Sequence, residues 1–445
     1  MANKNLTRRD FLAGSLAATA FMYVPKHVLG GPGITAPSDK LNIAAIGAGG
    51  RAGSNIVGAG KGNNIVALCD VDLNRAKDMW GRYPNAAKFR DFRVMLDKQK
   101  DIDAVIVSTP DHMHAYAALS AIKMGKHVYC EKPLTHTIQE ARILTEQARK
   151  YKVATQMGNQ GHSGSGIRRV SEWVKSGVIG KIKEVRCWTD RPNNWWPQGM
   201  DKFPAEAQPV PSTLEWDMWL GTAAWREYNA AYLPFIWRGW WDFGTGSLGD
   251  MGCHIMDIPF TALGLKAPIS VEADTGKFSA VSPPLESTIK YEFMVDGNKV
   301  PFTWYDGGRL PERPKMVPKD AKLGDGCGSM IIGEDAVIVA GTYGGGAWVY
   351  PEAKMDEIKK VPKSTPNSPG HYEEWIAACK GGAKAGSNFD VSGALTETVL
   401  LGNVAMLAKQ KILWDSKNLK VTNSAEANKL ISKTYRKGWD IKDLL

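Results

Sequence analysis

Clustered cysteines and runs of like charge are both missing from this chain of 445 residues. Its six cysteines lie far apart and form no C-x-x-C pair, so neither a zinc ribbon nor a dense disulfide framework is indicated. The 56 Lys and Arg exceed the 46 Asp and Glu, which gives a net charge of +10, yet no five or six like charges follow one another. We therefore expect an evenly charged, solvated surface and no nucleic-acid partner.

Familiar catalytic motifs are also scarce. The chain has no P-loop, no H-E-x-x-H motif, no internal repeat and no low-complexity tract. The segment Gly161–Gly166 resembles a nucleophile elbow but carries Ser165 where that motif requires glycine. What the chain does have is 43% hydrophobic residues and the length for two or three domains with sizeable cores.

The first thirty residues have the layout of an export signal. Arg8 and Arg9 precede a weakly apolar stretch from Ala13 to Val24, which is too short to span a bilayer comfortably. The segment resembles the twin-arginine signal, whose pathway exports folded proteins; a short amphipathic helix is the alternative. We predict a signal peptide at 1–30, a Gly/Pro-rich linker at 31–39, and a periplasmic or secreted protein. No later stretch reaches about 18 consecutive apolar residues, so we expect no stable membrane insertion after processing.

Short apolar runs alternate with helical patterns over residues 40–158. The predicted strands are Leu41–Ile46, Asn64–Cys69, Asp103–Ser108, His127–Cys130 and Val153–Met157. The predicted helices are Arg51–Gly60, Asp72–Gly81, Asp91–Lys98, His112–Met124 and Thr137–Lys150. This alternation predicts an α/β Rossmann domain with a doubly wound parallel sheet.

The pattern changes over residues 159–445. A Trp-rich and Pro-rich irregular stretch runs to about Gly249. The predicted elements around it are the helix Ile167–Ser176, the strand Ile182–Asp190, alternating strands at Ser287–Val295, Val300–Tyr305, Ala336–Gly341 and Ala347–Tyr350, and a closing amphipathic helix at Ser392–Lys409. We predict a second α/β domain here, built on a mostly antiparallel sheet.

A glycine-rich turn between the first strand and the first helix predicts a dinucleotide site. Gly47, Gly49 and the neighbouring Gly50 and Arg51 would let the backbone approach a pyrophosphate at the helix N-terminus. Asp70 ends the second strand, where its carboxylate would bind the ribose 2′-hydroxyl and repel a 2′-phosphate. The sequence therefore predicts NAD, with NADP less favoured.

Two further strand ends carry motifs that resemble the Gfo/Idh/MocA family of sugar and cyclitol oxidoreductases. They are Ser108-Thr109-Pro110-Asp111-His112-Met113-His114 and Glu131-Lys132-Pro133. The resemblance continues through 158–162, 195–199 and 249–257 to 435–439, and it is greatest to the secreted, twin-arginine-exported branch.

The resemblance implies a large open sheet in the second domain, which often serves as an oligomer face, so we expect a homo-oligomer. It also implies that the two motifs contact the cofactor through Ser108, Thr109, Pro110, His112, His114, Glu131 and Lys132. A metal site at His112 and His114 is the alternative, but an i, i+2 spacing at a strand–helix junction suits cofactor packing better, so we predict no metal.

Oxidising a secondary alcohol needs a base for the hydroxyl proton and a cation for the developing oxyanion. Asp250 and His254 are spaced i, i+4, so on a helix they share a face where the carboxylate could hold the imidazole tautomer. A purely structural pair is the alternative. By resemblance, His254 is the acid/base residue, Asp250 the aspartate of the family's D-x-x-x-H pattern, and Lys132 the residue that hydrogen-bonds the reacting hydroxyl.

Nine of the 16 tryptophans fall between Trp188 and Trp241. Most would pack a loop-rich region, but an aromatic ring stacked on a sugar face, with polar groups at the edge, is typical of carbohydrate binding. The predicted substrate-binding residues are Gln160, His162, Arg191, Trp195, Trp196 and Asp257. For His162 a plain loop role, and for Asp257 a helix-capping role, stay open.

The predicted function is an NAD-dependent oxidoreductase for a sugar, cyclitol or glycoside. A redox-neutral glycosidase that oxidises, eliminates, hydrates and reduces its substrate on one bound NAD is the rival within this fold. Export makes that rival serious, because an exported enzyme cannot readily exchange the NADH it makes. A sugar-binding module with structural NAD is the alternative of another class.

Overall fold

The computed structural model describes residues 39–324 and 326–445. The predicted signal peptide at 1–30 and all of the linker except Asp39 lie outside the described residues.

The first domain is built on a six-stranded parallel sheet of order β3-β2-β1-β4-β5-β6. Its strands are β1 (Asn42–Ile46), β2 (Asn64–Cys69), β3 (Ala87–Phe89), β4 (Ala104–Val107), β5 (His127–Cys130) and β6 (Thr155–Met157). The connecting helices are α1 (Ala52–Ala59), α2 (Leu73–Arg82), α3 (Phe92–Lys98), α4 (Asp111–Lys123) and α5 (Ile138–Tyr151). The central β4 is buried at every position because helices cover both faces of the sheet. The predicted doubly wound parallel sheet is confirmed.

Local signals set the helix ends. Asp72 and Asp91 accept hydrogen bonds from Asn74 N and Arg93 N at the starts of α2 and α3. Thr137 and Glu140 form a complete capping box at the start of α5. These caps set the residue at which each helix begins after the preceding strand. They therefore help to place the strand ends that face a ligand.

The second domain has a nine-stranded sheet of order β13-β12-β11-β7-β10-β9-β8-β14-β15, in which only β7 and β10 pair in parallel among the described residues. Its strands are β7 (Ile182–Trp188), β8 (Ser270–Thr275), β9 (Ser287–Val295), β10 (Asn298–Asp306), β11 (Gly328–Gly333), β12 (Val337–Ala340), β13 (Trp348–Tyr350), β14 (Ile412–Asp415) and β15 (Lys420–Val421). The helices are α6 (Ser165–Lys175), α7 (Trp216–Leu220), α8 (Gly246–Ile255), α9 (Asp257–Ala262), α10 (Met355–Lys360), α11 (His371–Cys379), α12 (Phe389–Ala408) and α13 (Ala425–Lys429). The predicted mostly antiparallel sheet is confirmed.

The closing helix α12 differs from its prediction as an amphipathic helix. Fifteen of its 20 positions are buried, because it packs on α5 and β6 of the first domain and on α8 and β8 of the second. By length and composition it could cross a membrane, but most of it is enclosed by the protein, as in a core helix.

The chain also returns to the first domain late in its course. Trp375, on α11, is fully buried in the hydrophobic cluster that contains Ile43 and Ile56 of the first sheet and α1. The Tyr372 ring lies where a Cβ on Gly58 would be, and its hydroxyl donates to Asn55 Oδ1 (2.9 Å). The segment 371–379, predicted to belong to the second domain, therefore completes the core of the first.

Candidate active site

A cavity of about 560 Å³ runs from the glycine-rich turn, past the ends of β4 and β5, to α8 of the second domain. Most of the residues predicted to bind cofactor or substrate line it: Gly47, Gly49, Gly50, Arg51, Asp70, Ser108, Thr109, Pro110, His114, Glu131, Lys132, Gln160, Arg191, Trp195, Asp250 and His254. The cavity thus joins the predicted dinucleotide site to the predicted catalytic residues.

The glycine-rich turn presents backbone rather than side chains to the cavity. Gly47 (φ +81°) and Gly50 (φ +60°) adopt left-handed conformations, and a Cβ on Gly47 would lie 2.7 Å from the Ser108 carbonyl oxygen. Such a turn before the N-terminus of α1 is the surface that a pyrophosphate needs. The residues present therefore fit a dinucleotide.

Asp70 is tied to this turn. Its carboxylate accepts hydrogen bonds from Ala48 N (2.8 Å), Gly49 N (3.1 Å) and Asp72 N (2.9 Å). Burial raises the pKa of Asp70, and these backbone donors offset part of that rise. The carboxylate therefore holds the turn in place in addition to facing the cavity.

Glu131 directly follows the last residue of β5 and anchors the cavity wall there. Its Oε1 accepts from Asn55 Nδ2 (2.9 Å), Arg51 Nε (3.3 Å) and Gln160 Nε2 (3.3 Å). A Cβ on Gly158 would lie 2.6 Å from this carboxylate, so any larger residue there would displace the Glu131 side chain. Glu131 thereby orients Arg51 and Gln160 toward the cavity.

Lys132, Asp250 and Arg238 form a compact ionic group where the two domains meet. Asp250 Oδ1 accepts from Lys132 Nζ (2.7 Å) and from Arg238 Nε (2.9 Å), and each side chain is less than a fifth exposed. Burial alone would raise the pKa of Asp250, but the two cations hold it well below its usual range. The group holds a positive charge at a fixed place beside the cavity.

His254 lies one turn after Asp250 on α8, yet its imidazole makes no hydrogen bond to Asp250 or to any other described residue. This differs from the predicted carboxylate–imidazole contact, because Lys132 and Arg238 occupy the Asp250 carboxylate. Burial and the Lys132 charge lower the pKa of His254 well below its usual value. The imidazole is therefore neutral near pH 7, the form that can accept a proton.

Four predicted residues do not line the cavity, since each is buried against protein groups. His112 contacts the carbonyl oxygens of Phe243 and Trp219, and burial lowers its pKa to about 3. His162 Nδ1 lies 2.9 Å from Asp257 Oδ1; burial alone would lower the pKa of His162, but Asp257 raises it. Trp196 donates from its indole to Gln198 Oε1 (3.0 Å). Across the described residues, no group of three or more side chains could hold a metal ion.

Other cavity residues are not among the site residues predicted above. Arg238, Phe235 and Trp237 come from the irregular Trp-rich stretch, and the Arg238 guanidinium lies 4.2 Å from the centroids of both rings. Tyr343 comes from the loop between β12 and β13. The aromatic composition around Arg238 was a usable signal, whereas no motif marks Tyr343.

Fold and site together define a two-domain dinucleotide-binding protein of the α/β class. The chain belongs to the Gfo/Idh/MocA oxidoreductase family: residues 41–159 match its NAD-binding Rossmann fold and residues 163–302 match its C-terminal alpha/beta domain. The predicted family is thereby confirmed.

The chain is similar to levoglucosan dehydrogenase of Pseudarthrobacter phenanthrenivorans (24% identity, 51% of this chain and 46% of that protein). It is also similar to D-glucoside 3-dehydrogenase of Escherichia coli (31% identity, 47% of this chain and 49% of that protein). The matched region spans about half the length of these relatives.

Solved structures share the fold across most of the chain. The WlbA dehydrogenase of Bordetella pertussis, in complex with NADH and UDP-GlcNAcA, has a TM-score of 0.60 at 16% identity, covering 84% of this chain and 99% of its own. A levoglucosan dehydrogenase in complex with NADH and L-sorbose has a TM-score of 0.55 at 16% identity, covering 84% of this chain and 98% of its own.

Proposed function

We propose that the protein is an NAD-dependent oxidoreductase that acts after twin-arginine export to the periplasm. It moves a hydride between the carbon that bears a secondary hydroxyl of a sugar, cyclitol or glycoside and a tightly bound nicotinamide. One observation carries the proposal: a single cavity joins the glycine-rich turn to Lys132, Asp250 and His254. The names of the relatives agree with this substrate class.

The choice of NAD depends on Asp70. Its partly buried carboxylate at the end of β2 would meet the ribose 2′-hydroxyl and repel a 2′-phosphate. Arg75 and Arg90 line the same end of the cavity, and their positive charges would favour a 2′-phosphate. The preference for NAD over NADP therefore depends on the Asp70 carboxylate.

His254 is the proposed acid/base residue. A bound nicotinamide supplies the hydride acceptor or donor. The neutral imidazole takes the hydroxyl proton, and the Lys132 ammonium, fixed by Asp250, stabilises the negative charge that develops on the oxygen. Because Arg238 shares the same carboxylate oxygen, Lys132 is held in one position before substrate arrives.

The test is mass analysis of products from the purified protein, supplied with NAD and a panel of glucosides and galactosides. A product two hydrogens lighter, with the glycosidic bond intact, is the expected result. Free sugar and aglycone without net NADH would replace this proposal with the redox-neutral glycosidase. Binding without any product would indicate a sugar-binding module.

The His254→Asn variant tests the assigned base. We expect turnover to fall by about 10²–10⁴-fold, the usual contribution of a positioned general base. His127→Asn is a matched control, because His127 begins β5 at the end of the strand away from the cavity, and this variant should keep its turnover. Full turnover by His254→Asn would remove the mechanism.

A further inference from the structure

The loop between β12 and β13 reaches the cavity although its strands lie at the edge of the second sheet. It reads Gly341-Thr342-Tyr343-Gly344-Gly345-Gly346 and is closed by hydrogen bonds from Gly341 N to Gly345 O (3.0 Å) and from Gly344 N to Gly341 O (2.9 Å). Gly344 (φ +77°) and Gly346 (φ +61°) are left-handed, a conformation that other residues rarely adopt. The loop is therefore a defined turn that carries one large side chain.

This loop packs against the glycine-rich segment Gly161–Gly166. A Cβ on Gly166 would lie 1.9 Å from the Gly344 carbonyl oxygen, and a Cβ on Gly161 would lie 3.0 Å from both Cα and Cβ of Tyr343. At Gly166 only hydrogen lets the two backbones approach so closely, and at Gly161 an added methyl group would require Tyr343 to shift. The segment that resembles a nucleophile elbow thus acts as a docking surface for the Tyr343 loop.

Docking of the loop places Tyr343 beside the imidazole. The rings of Tyr343 and His254 meet edge to face with centroids 5.0 Å apart. Tyr343 nevertheless stays 54% exposed, in a cavity wall that also includes the exposed Trp195 and Phe235. Its hydroxyl makes no hydrogen bond to another described residue, so both the ring and its polar end are available to a ligand.

We propose that Tyr343 is a specificity-determining residue, whose ring stacks on the sugar of the substrate beside His254 and whose hydroxyl binds a substrate hydroxyl. The inference rests on the proposed function, since it takes the ligand to be a sugar. The Tyr343 ring covers an apolar face of the sugar. The packing of its loop on Gly161–Gly166 fixes the position of the ring relative to the acid/base residue.

The experiment is an equilibrium titration of the NAD-loaded protein with methyl glucosides and methyl galactosides, measured by saturation-transfer NMR. We expect Tyr343→Ala to weaken binding about tenfold, as expected for an aromatic stacking contact. Tyr343→Phe keeps the ring and should lose less. Trp348→Ala is the matched control, because Trp348 is an exposed aromatic residue of β13 outside the cavity, and its affinity should equal that of the wild type.

The Gly166→Ala variant tests the same proposal by displacing the Tyr343 loop. Alanine suits helix α6 better than glycine, so the helix should hold, but the added methyl group must displace Gly344 and with it the Tyr343 ring. We expect a loss of sugar affinity comparable to that of Tyr343→Ala. Wild-type affinity of Tyr343→Ala would overturn the proposal.

The outcomes also separate this inference from the proposed function. If glycosides bind and Tyr343→Ala weakens their binding but no product forms, the oxidoreductase assignment fails and the role of Tyr343 stands. If products form and Tyr343→Ala binds and turns over like the wild type, only the role of Tyr343 fails. If no glycoside binds to the wild type, the sugar class fails and Tyr343 fails with it.

Discussion

Asp250→Asn is the substitution that most directly tests the ionic group at the domain junction. The change removes one negative charge and leaves the Lys132 ammonium and the Arg238 guanidinium beside one another, since both contact the same oxygen. At a separation of about 5 Å and an effective dielectric constant of about 20, their repulsion is roughly 3 kcal/mol. Breaking a buried ion pair by removing one partner typically costs about 3–5 kcal/mol, so both arguments give a similar magnitude.

The assay is urea unfolding at pH 7, followed by tryptophan fluorescence. A loss of about 3 kcal/mol would be a large part of the roughly 5–15 kcal/mol that stabilises a typical protein. Asp356→Asn is the matched control, because Asp356 pairs with Lys359 in an exposed i, i+3 pair (80% and 68% exposed) and should cost about 0–1 kcal/mol. Adding Arg238→Gln to Asp250→Asn removes one cation and should recover part of the loss.

Equal costs for Asp250→Asn and Asp356→Asn would refute the reasoning, because they would mean that water screens the junction as it screens the surface. A double variant less stable than Asp250→Asn alone would likewise show that repulsion between the two cations is not the cause.

Two further predictions follow from burial. The pKa values of His112 and His371 are lowered by burial, to about 3 and about 4, so these residues take up protons in the unfolded chain before they do in the folded one. The free energy of unfolding should therefore be at its full value above about pH 6.5 and should decrease by about 1.4 kcal/mol per pH unit for each histidine as the pH falls below that. Urea midpoints that do not change between pH 7 and pH 5 would contradict this prediction. Trp195 is 49% exposed in the cavity, so Trp195→Ala should weaken sugar binding without changing NAD content. Trp196 is 6% exposed beneath the cavity, so Trp196→Ala should lower the free energy of unfolding by about 3–5 kcal/mol. Sugar titration and thermal unfolding of the two variants distinguish these roles, and a reversed pattern would exclude them.

The first domain was predictable because its signals are local. The glycine turn, Asp70 and the buried runs of β1, β2 and β5 lie where the sequence places them. The strand β3 was missed because it has three residues and none is fully buried, so it carries no periodic pattern.

The site was less predictable because its contacts are long-range. The spacing of Asp250 and His254 indicated a pair on one helix, but the partner of Asp250 is Lys132, which lies 118 positions away. Sequence likewise cannot say which of the adjacent Trp195 and Trp196 faces a ligand, since that depends on the path of an irregular loop. Tyr343 reaches the cavity only through the fit of two glycine-rich segments.

The return of α11 and α12 to the first domain limits how the crevice can open. Trp375 fills the core beside the first sheet, and α12 packs on elements of both domains, so the largest hydrophobic cluster is shared between the two domains. A hinge would have to break these apolar contacts at every catalytic cycle. We therefore expect ligands to enter through movements of loops and side chains at the rim of the cavity, which would favour the proposed retention of the dinucleotide.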